Sequence, residues 1–302
     1  MAKGGYCSGM GITVDAFVEA HVAAMLGKDV DLDRLVTTPS GLTPEGMMEA
    51  IGHPSMGKLG MPLMADFMAP EDSLYYDAIF GVFHGQRAIR QWLVPAMADI
   101  EFIDFVPTAP AAWFDDGEGG SSLDEWKMVM NLDGQQIPLS RGVSVRRYRK
   151  GWITWACDVY DTAPFRQPPP PEMDGPPPPP LPPCPNVAWV PDASVVPSVV
   201  ANPLRITQPF HPTDSVYIDP AVGELHGAAA ISEWLAAAAA AADAGVFQPL
   251  GPLLSDGTTT VQEWQRVSTL ADGSEETVRG ASVRRVVDGS VVYAADYHDT
   301  AR

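Results

Sequence analysis

Two short strings in the chain place a tyrosine two residues before a carboxylate, Tyr75-x-Asp77 and Tyr217-x-Asp219. Two more place an aspartate two residues before a polar ring, Asp158-x-Tyr160 and Asp296-x-His298. All four lie in stretches that read as strands, and alternate residues of a strand share a face. Tyr75 then points with Asp77, Tyr217 with Asp219, Asp158 with Tyr160 and Asp296 with His298. If these faces line the concave side of a sheet, each pocket holds a tyrosine and two carboxyl groups among Trp, Phe, Val and Met. Two carboxyls so placed cannot both ionise cheaply, because desolvation and mutual repulsion raise one pKa and leave an acid beside a base near neutral pH. That is the equipment of general acid–base catalysis.

The strings come in pairs because the chain repeats itself. "DSLYYDAIFGVFHGQRAIRQWL" (72–93) and "DSVYIDPAVGELHGAAAISEWL" (214–235) agree at 11 of 22 positions at an offset of 142, where chance gives roughly one or two. "GVSVRRYRKGWITWACDVYDTA" (142–163) and "GASVRRVVDGSVVYAADYHDTA" (280–301) again agree at 11 of 22, at offset 138, which also carries Glu125-Trp126 onto Glu263-Trp264. This is the pattern of a tandem duplication. Between the copies, 12 of the 30 prolines fall between Pro168 and Pro185, predicting a polyproline spacer of up to about 55 Å at about 3.1 Å per residue. The expected organisation is a first domain at 10–166, a linker at 167–186 and a second domain at 187–302.

Within a copy the periods change in order. "VDAFVEAHVAAMLG" has apolar residues at helical spacing and a glycine stop. Each 22-residue block alternates as a strand, turns at Gly-x-x-His-Gly and resumes helical spacing. Strand-like segments follow: "EFIDFVP", "DEWKMVMNL", "LSRGVSVRRYR" and "WITWACDVYD" in the first copy, "TTVQEWQRVSTL", "TVRGASVRRVV" and "SVVYAADYHD" in the second. Asp133-Gly134, Asp272-Gly273 and Asp288-Gly289 are hairpin signals. The pattern predicts an α+β fold, a curved antiparallel sheet wrapped around helices. The copies differ at their starts, since the first has roughly 70 residues before its block and the second has fewer than 30 after the linker, with no clear opening helix.

Bulk composition narrows the function. The 302 residues hold 38 acidic and 19 basic side chains, a net charge of -19, which repels nucleic acid and anionic membrane surfaces. Neutral or cationic small molecules and other proteins remain as partners. Cys7, Cys157 and Cys184 are odd in number and unrelated in spacing, so no disulfide framework or zinc site is indicated. With no signal core and no apolar run long enough to span a bilayer, a cytoplasmic protein is expected. No phosphate loop, dinucleotide fingerprint or metal-ligand cluster is present, so the expectation is no cofactor and no metal.

These residues resemble the nuclear transport factor 2-like superfamily, and within it the SnoaL-like polyketide cyclases, ketosteroid isomerases and limonene-epoxide hydrolases. "YIDPAVGELHG" followed by "AAAISEWL" is similar to the isomerase segment whose Asp-Pro carries the general base; Asp219-Pro220 falls on it and Asp77 is its counterpart. "WACDVYD" and "YAADYHD" resemble the Trp-Arg-Asp-Tyr-Phe-Asp ending of the epoxide hydrolases, whose first aspartate acts on the nucleophilic water; Asp158 and Asp296 fall there. Tyr75-x-Asp77 and Tyr217-x-Asp219 sit where those hydrolases carry Tyr-x-Asn. The departures are specific: Ser144 or Ser282 stands near the isomerase's second aspartic acid, and the hydrolase Arg-x-Asp is absent from the strands of Trp126 and Trp264. The resemblance implies a cone-shaped, cystatin-like sheet in each copy. Proteins of this fold commonly pair sheet to sheet, so the tandem chain is expected to form an intramolecular pseudo-dimer, with further homo-oligomerisation left open.

The roles that follow make Asp77 and Asp219 bases, Asp158 and Asp296 their proton-holding partners, and the Tyr75 and Tyr217 hydroxyls donors to a developing oxyanion or epoxide oxygen. His298 replaces Tyr160 as a proton relay in the second copy alone. Trp126, Trp264 and Tyr160 are candidate contacts for a hydrophobic small-molecule substrate. Structural readings compete with each role: strand tyrosines pack, Asp77 and Asp219 could start ordinary turns, and Asp158, Asp161, Asp296 and Asp299 could serve turns or pair with Arg146, Arg147, Arg284 and Arg285. His84 and His226 read as turn residues, Trp92 and Trp234 as core, and Cys157 as facing away from Asp158. A cyclase, isomerase, dehydratase or epoxide hydrolase is one reading; a ligand-binding or assembly module without chemistry, or a scaffold recruiting a partner through its prolines, is the other.

Overall fold

The computed structural model describes residues 12–166 and 206–301, apart from residues 27, 57–58, 99–102, 116, 118, 133–134, 207 and 242–244. The proline-rich linker, the opening of the second domain and the Asp133-Gly134 turn lie outside the described residues. The first copy opens with helices α1 (Val14–Met25), α2 (Pro44–Ile51) and α3 (Gly60–Phe67), then strands β1 (Leu74–Asp77) and β2 (Gly81–His84), helix α4 (Gly85–Ala98), and strands β3 (Ile103–Pro107), β4 (Ala112–Phe114), β5 (Ser121–Leu132), β6 (Gln135–Arg149) and β7 (Trp152–Tyr160). The second copy repeats the series from the block onward: β8 (Val216–Asp219), β9 (Gly223–His226), α5 (Ala228–Ala241), β10 (Val246–Pro249), β11 (Leu254–Ser255), β12 (Thr259–Thr269), β13 (Glu275–Val287) and β14 (Ser290–His298).

Each copy builds one seven-stranded sheet. The first is ordered β2-β1-β7-β6-β5-β3 with β4 also on β5, and the second β10-β12-β13-β14-β8-β9 with β11 also on β12. This is the duplicated α+β fold expected, with one correction: the sheets are mixed, because β1 runs parallel to β7 and β8 parallel to β14. Helix α4 accounts for it, since it carries the chain away from the β1–β2 hairpin and the last strand must return beside β1. The long strands turn tightly at Lys150-Gly151 and Asp288-Gly289, where both central residues have positive φ, as a two-residue hairpin requires. Helices α2 and α3 were not legible in the Met- and Gly-rich opening. Thr43 caps α2 through Gly46 N at 3.1 Å, ahead of Pro44 at its first turn. Buried Gln86 and Arg90 on α4 tie the opening segment down, Gln86 to Val36 and Met68 and Arg90 to Asp31 O, Pro62 O and the Asp66 carboxylate. The second copy has Ala228 and Ser232 at these two places. Among the described residues no helix is long and apolar enough to cross a membrane.

The two sheets pack face to face, and the contact is reciprocal. Tyr76, Val143, Val145, Trp155, Cys157 and Val159 interdigitate with Ile218, Val261, Ala281, Val283, Ala295 and Tyr297. Two ion pairs, each on a buried glutamate, cross this apolar layer: Arg147 reaches Glu263, and the partly buried Arg285 reaches Glu125. Trp155 Nε1 donates to Glu263 at 2.7 Å, while the Tyr293 and Tyr297 hydroxyls donate to Glu125 at 2.6 and 2.7 Å. A side chain at Gly251 would collide with Arg147, so that glycine admits the arginine. Buried Thr162 donates to buried Asp299 at 2.8 Å, and at the surface Thr300 donates to Asp161 at 2.7 Å. Asp161, Asp299, Arg147 and Arg285 therefore serve the junction and not a pocket.

Removing one partner of a buried pair strands the other charge, at a cost of about 3–5 kcal/mol. Glu263→Ala is expected to lower unfolding stability by that amount in a urea titration. Glu224→Ala, which removes the half-exposed bridge to Arg141, should cost less than about 1 kcal/mol.

Candidate active site

A cavity of about 360 Å3 lies between the inner face of the first sheet and helices α2, α3 and α4. Met48, Ile51, Met61 and Met64 from α2 and α3 cover it, and Trp92 and Leu93 from α4 wall it. Phe80 and Phe105 line it while remaining 42% and 41% exposed, which places them at its rim. The polar groups come from four adjacent strands: Tyr75 and Asp77 on β1, Asp158 and Tyr160 on β7, Ser144 and Arg146 on β6, and Asp124 with Trp126 on β5. Parallel pairing sets Asp77 directly opposite Asp158, on strands about 4.8 Å apart, and both residues line the cavity floor.

Each carboxyl has its own tyrosine. Asp77 accepts the Tyr160 hydroxyl at 3.1 Å and the backbone N–H groups of Ile79 and Phe80 at 2.8 and 2.9 Å. The backbone bonds are those of a turn, so Asp77 serves the turn and faces the cavity at once. Asp158 accepts the Tyr75 hydroxyl on one oxygen and Ser144 Oγ, at 2.6 Å, on the other. Trp126 Nε1 donates to Ser144 Oγ at 2.9 Å, and the Trp126 ring lies on Gly142, where any side chain would collide with it. Burial first, with the neighbouring Asp158 adding to it, pushes the Asp77 carboxyl up to about 7, against the pull of its backbone donors and Tyr160. The sequence-based expectation gave the proton to Asp158. Asp158 accepts a hydrogen bond on each oxygen, and Asp77, expected as the base, is the carboxyl raised to about 7. Tyr75, expected as an oxyanion donor, is committed to Asp158.

Two polar residues of the cavity had no part in the sequence-based site. Arg146 Nη1 pairs with Asp124 Oδ2 at 2.7 Å, and the buried Arg146 Nε has no hydrogen-bond partner among the described residues. Burial raises the Asp124 carboxyl, Arg146 pulls it down, and Asp158 raises it again. Alternation along β5 and β6 could have found the pair, since Asp124 shares a face with Trp126 and Arg146 with Ser144. Trp92, read as core, belongs to the cavity wall: it stacks on Phe83 with ring centroids 4.2 Å apart and meets the Tyr75 edge at 5.0 Å.

The second copy assembles the matching residues with different partners. Tyr217 donates to Asp296 at 2.6 Å, Ser282 to the other Asp296 oxygen at 2.6 Å, and Trp264 Nε1 to Ser282 at 2.9 Å. His298 takes the place of Tyr160, its Nε2 3.3 Å from Asp219. Burial acts to lower the His298 pKa, but the Asp219 hydrogen bond and charge outweigh it and the net shift is upward. Arg284 pairs with Asp296 at 2.6 Å, the one place where an Arg of the repeated Ser-Val-Arg-Arg binds a last-strand aspartate. His84 and His226 are exposed, and Cys157 is buried in the layer between the sheets. Among the described residues no group of three or more His, Cys, Asp or Glu is disposed to hold a metal ion.

A group whose folded pKa is raised adds stability below its ordinary range and loses that contribution as pH climbs through the raised value, at about 1.4 kcal/mol per unit. Asp77→Asn retains an acceptor for the turn but cannot ionise. Its unfolding free energy relative to the unsubstituted protein should therefore rise by a few kcal/mol (about 1.4 per unit) between pH 4 and about 7 and stay level above, as read from denaturation at a series of pH values.

Residues 203–294 match the family model described as a SnoaL-like domain. Among solved structures, one provisionally assigned as an isomerase of the SnoaL-like family from Agrobacterium tumefaciens is 18% identical, covering 39% of this chain and 93% of its own, at a TM-score of 0.30. A nuclear transport factor 2-like protein of unknown function from Cytophaga hutchinsonii is 13% identical over 30% of this chain and 79% of its own, at 0.27. A hypothetical protein with a ketosteroid isomerase-like fold from Catenulispora acidiphila, in complex with trimethylamine, is 20% identical over 30% and 71%, at 0.26. No curated protein matches the sequence significantly. Residues 203–294 are thus similar to a SnoaL-like domain, and the first copy repeats the strand order of the second.

Proposed function

We propose that the first copy is a general acid–base enzyme that moves a proton on a hydrophobic small molecule, of the cyclase, isomerase, dehydratase or epoxide-opening kind. The observation that carries this reading is the Asp77–Asp158 pair at the floor of an apolar cavity, with the Asp77 carboxyl held near 7. A base is most effective when its pKa lies near the working pH. In this reading the Asp77 carboxylate takes a proton from carbon next to a carbonyl, or from a water attacking an epoxide, and Tyr160 steadies the anion between turnovers. Asp158 is fixed by Tyr75 and Ser144 and disfavours a second negative charge beside it, which keeps Asp77 basic. Arg146 lines the cavity and sets a positive charge beside a developing oxyanion, within largely apolar walls. Trp92, Trp126 and the methionines of α2 and α3 supply the apolar contacts.

For the second copy the non-catalytic reading, a ligand-binding or assembly domain, is favoured by one observation. Asp296 is paired with Arg284 and Asp219 with His298, so each of these two carboxyls has a basic partner that its counterpart in the first copy lacks.

Hydrogen–deuterium exchange at the α-carbon of 2-tetralone in D2O tests the base directly, and styrene oxide hydrolysis tests the epoxide alternative. The expected exchange rate rises with pH and levels above about 7. Asp77→Asn should lower it by about 100-fold or more, while Asp219→Asn leaves it within a few fold. Probes that bind but undergo neither reaction would move the first copy to the binding-module reading.

A further inference from the structure

The two copies are a natural comparison at one position. Asp124 and Gln262 occupy equivalent places, each opposite the equivalent serine of the next strand, Asp124 across from Ser144 and Gln262 across from Ser282. Of the other polar members of the floor on these strands, Tyr160 is replaced by His298 and the rest are kept: Ser144 and Ser282, Arg146 and Arg284, Asp158 and Asp296, Trp126 and Trp264. What changes is the arginine's partner. In the first copy Arg146 pairs with Asp124 and makes no ion pair with Asp158. In the second, Gln262 turns its amide to Gly251 O and Glu263 O, both at 2.9 Å, and Arg284 pairs with Asp296.

We propose that Asp124 is a positioning residue: it holds Arg146 off Asp158, so that Asp158 stands beside Asp77 without an ion-pair partner. With a neutral residue at 124 the first site would relax into the ion-paired arrangement of the second. The physical reason is that a buried guanidinium must find a carboxylate, and Arg146 has two within reach of its strand, Asp124 on β5 and Asp158 on β7. Of these, only the second has counterparts in both copies. The groups facing Asp77 are Tyr75 on its own strand, Asp158 and Tyr160 on β7, Arg146 on β6 and Asp124 on β5; α4 contributes the uncharged Trp92. Moving Arg146 onto Asp158 offsets a charge that pushes the Asp77 carboxyl upward. This inference rests on the acid–base reading of the first site, but it is tested without turnover.

The experiment uses the full chain carrying Asp124→Gln, Asp124→Glu or Gln262→Asp. Crystal structures read the arginine's partner, and 13C-carboxyl titration, assigned by Asp77→Asn, reads Asp77. Asp124→Gln should bring Arg146 within hydrogen-bond distance of Asp158 and lower the Asp77 midpoint from near 7 by about one unit or more. Asp124→Glu, which restores a carboxylate partner, should leave both unchanged. Gln262→Asp should draw Arg284 off Asp296. Arg146 staying clear of Asp158 in Asp124→Gln, or an equal Asp77 shift in the Glu and Gln variants, overturns the inference. If Asp124→Gln does not fold, Gln262→Asp decides, and Arg284 remaining on Asp296 overturns it. Absence of α-exchange with 2-tetralone would remove the proposed reaction while leaving these two readouts standing.

Discussion

Each sheet has two faces and both are committed, and that constraint governs the rest of the structure. Along β7, Trp155, Cys157 and Val159 enter the layer between the copies, while Asp158 and Tyr160 face the cavity. Along β6, Val143, Val145 and Arg147 go one way and Ser144 and Arg146 the other. Glu125 crosses to Arg285 while Asp124 and Trp126 turn inward. A slip of one residue would exchange the two sets, placing the site's carboxyls in an apolar interface and the interface's apolar groups in the cavity. Register is therefore fixed from both sides at once.

The second copy acts as more than a tether in this arrangement. It covers the outer face of the first copy's sheet and supplies the glutamate that Arg147 needs, and the first copy returns the service to Arg285. Burying these charges is expensive unless each finds its partner, so the ion pairs favour one alignment of the sheets over others more than they favour association itself. Apolar packing supplies the attraction, and the linked chain keeps the partner always at hand.

Neighbouring residues in one strand thus carry opposite electrostatic duties. Arg147 neutralises a glutamate across the interface, and Arg146, one residue earlier, is held on Asp124 inside the cavity. The first copy keeps an opening segment strapped by Gln86 and Arg90 above its cavity, whereas the second carries Ala228 and Ser232 there. The copies share a frame and differ in the residues that bear on charge and cover.

The sequence by itself determined the repeat, the order of most strands, the Asp288-Gly289 turn and the inward grouping of Tyr75, Asp77, Asp158 and Tyr160, because each depends on local spacing of two residues or on turn chemistry. It also carried the family resemblance, since the residues around Asp219 and Asp296 survive as contiguous strings. Helices α2 and α3 were not legible, because short Met- and Gly-rich segments have no strong period and are held by Gln86 and Arg90 from far along the chain. Which arginine meets which acid was decided only by the tertiary structure. The string Ser-Val-Arg-Arg is the same in both copies, yet its four arginines have four different partners. Those partners, Asp124, Glu263, Asp296 and Glu125, are placed by strand pairing and by the apposition of two sheets, and charge pairing of that kind is a property of distance in space that adjacent sequence does not encode.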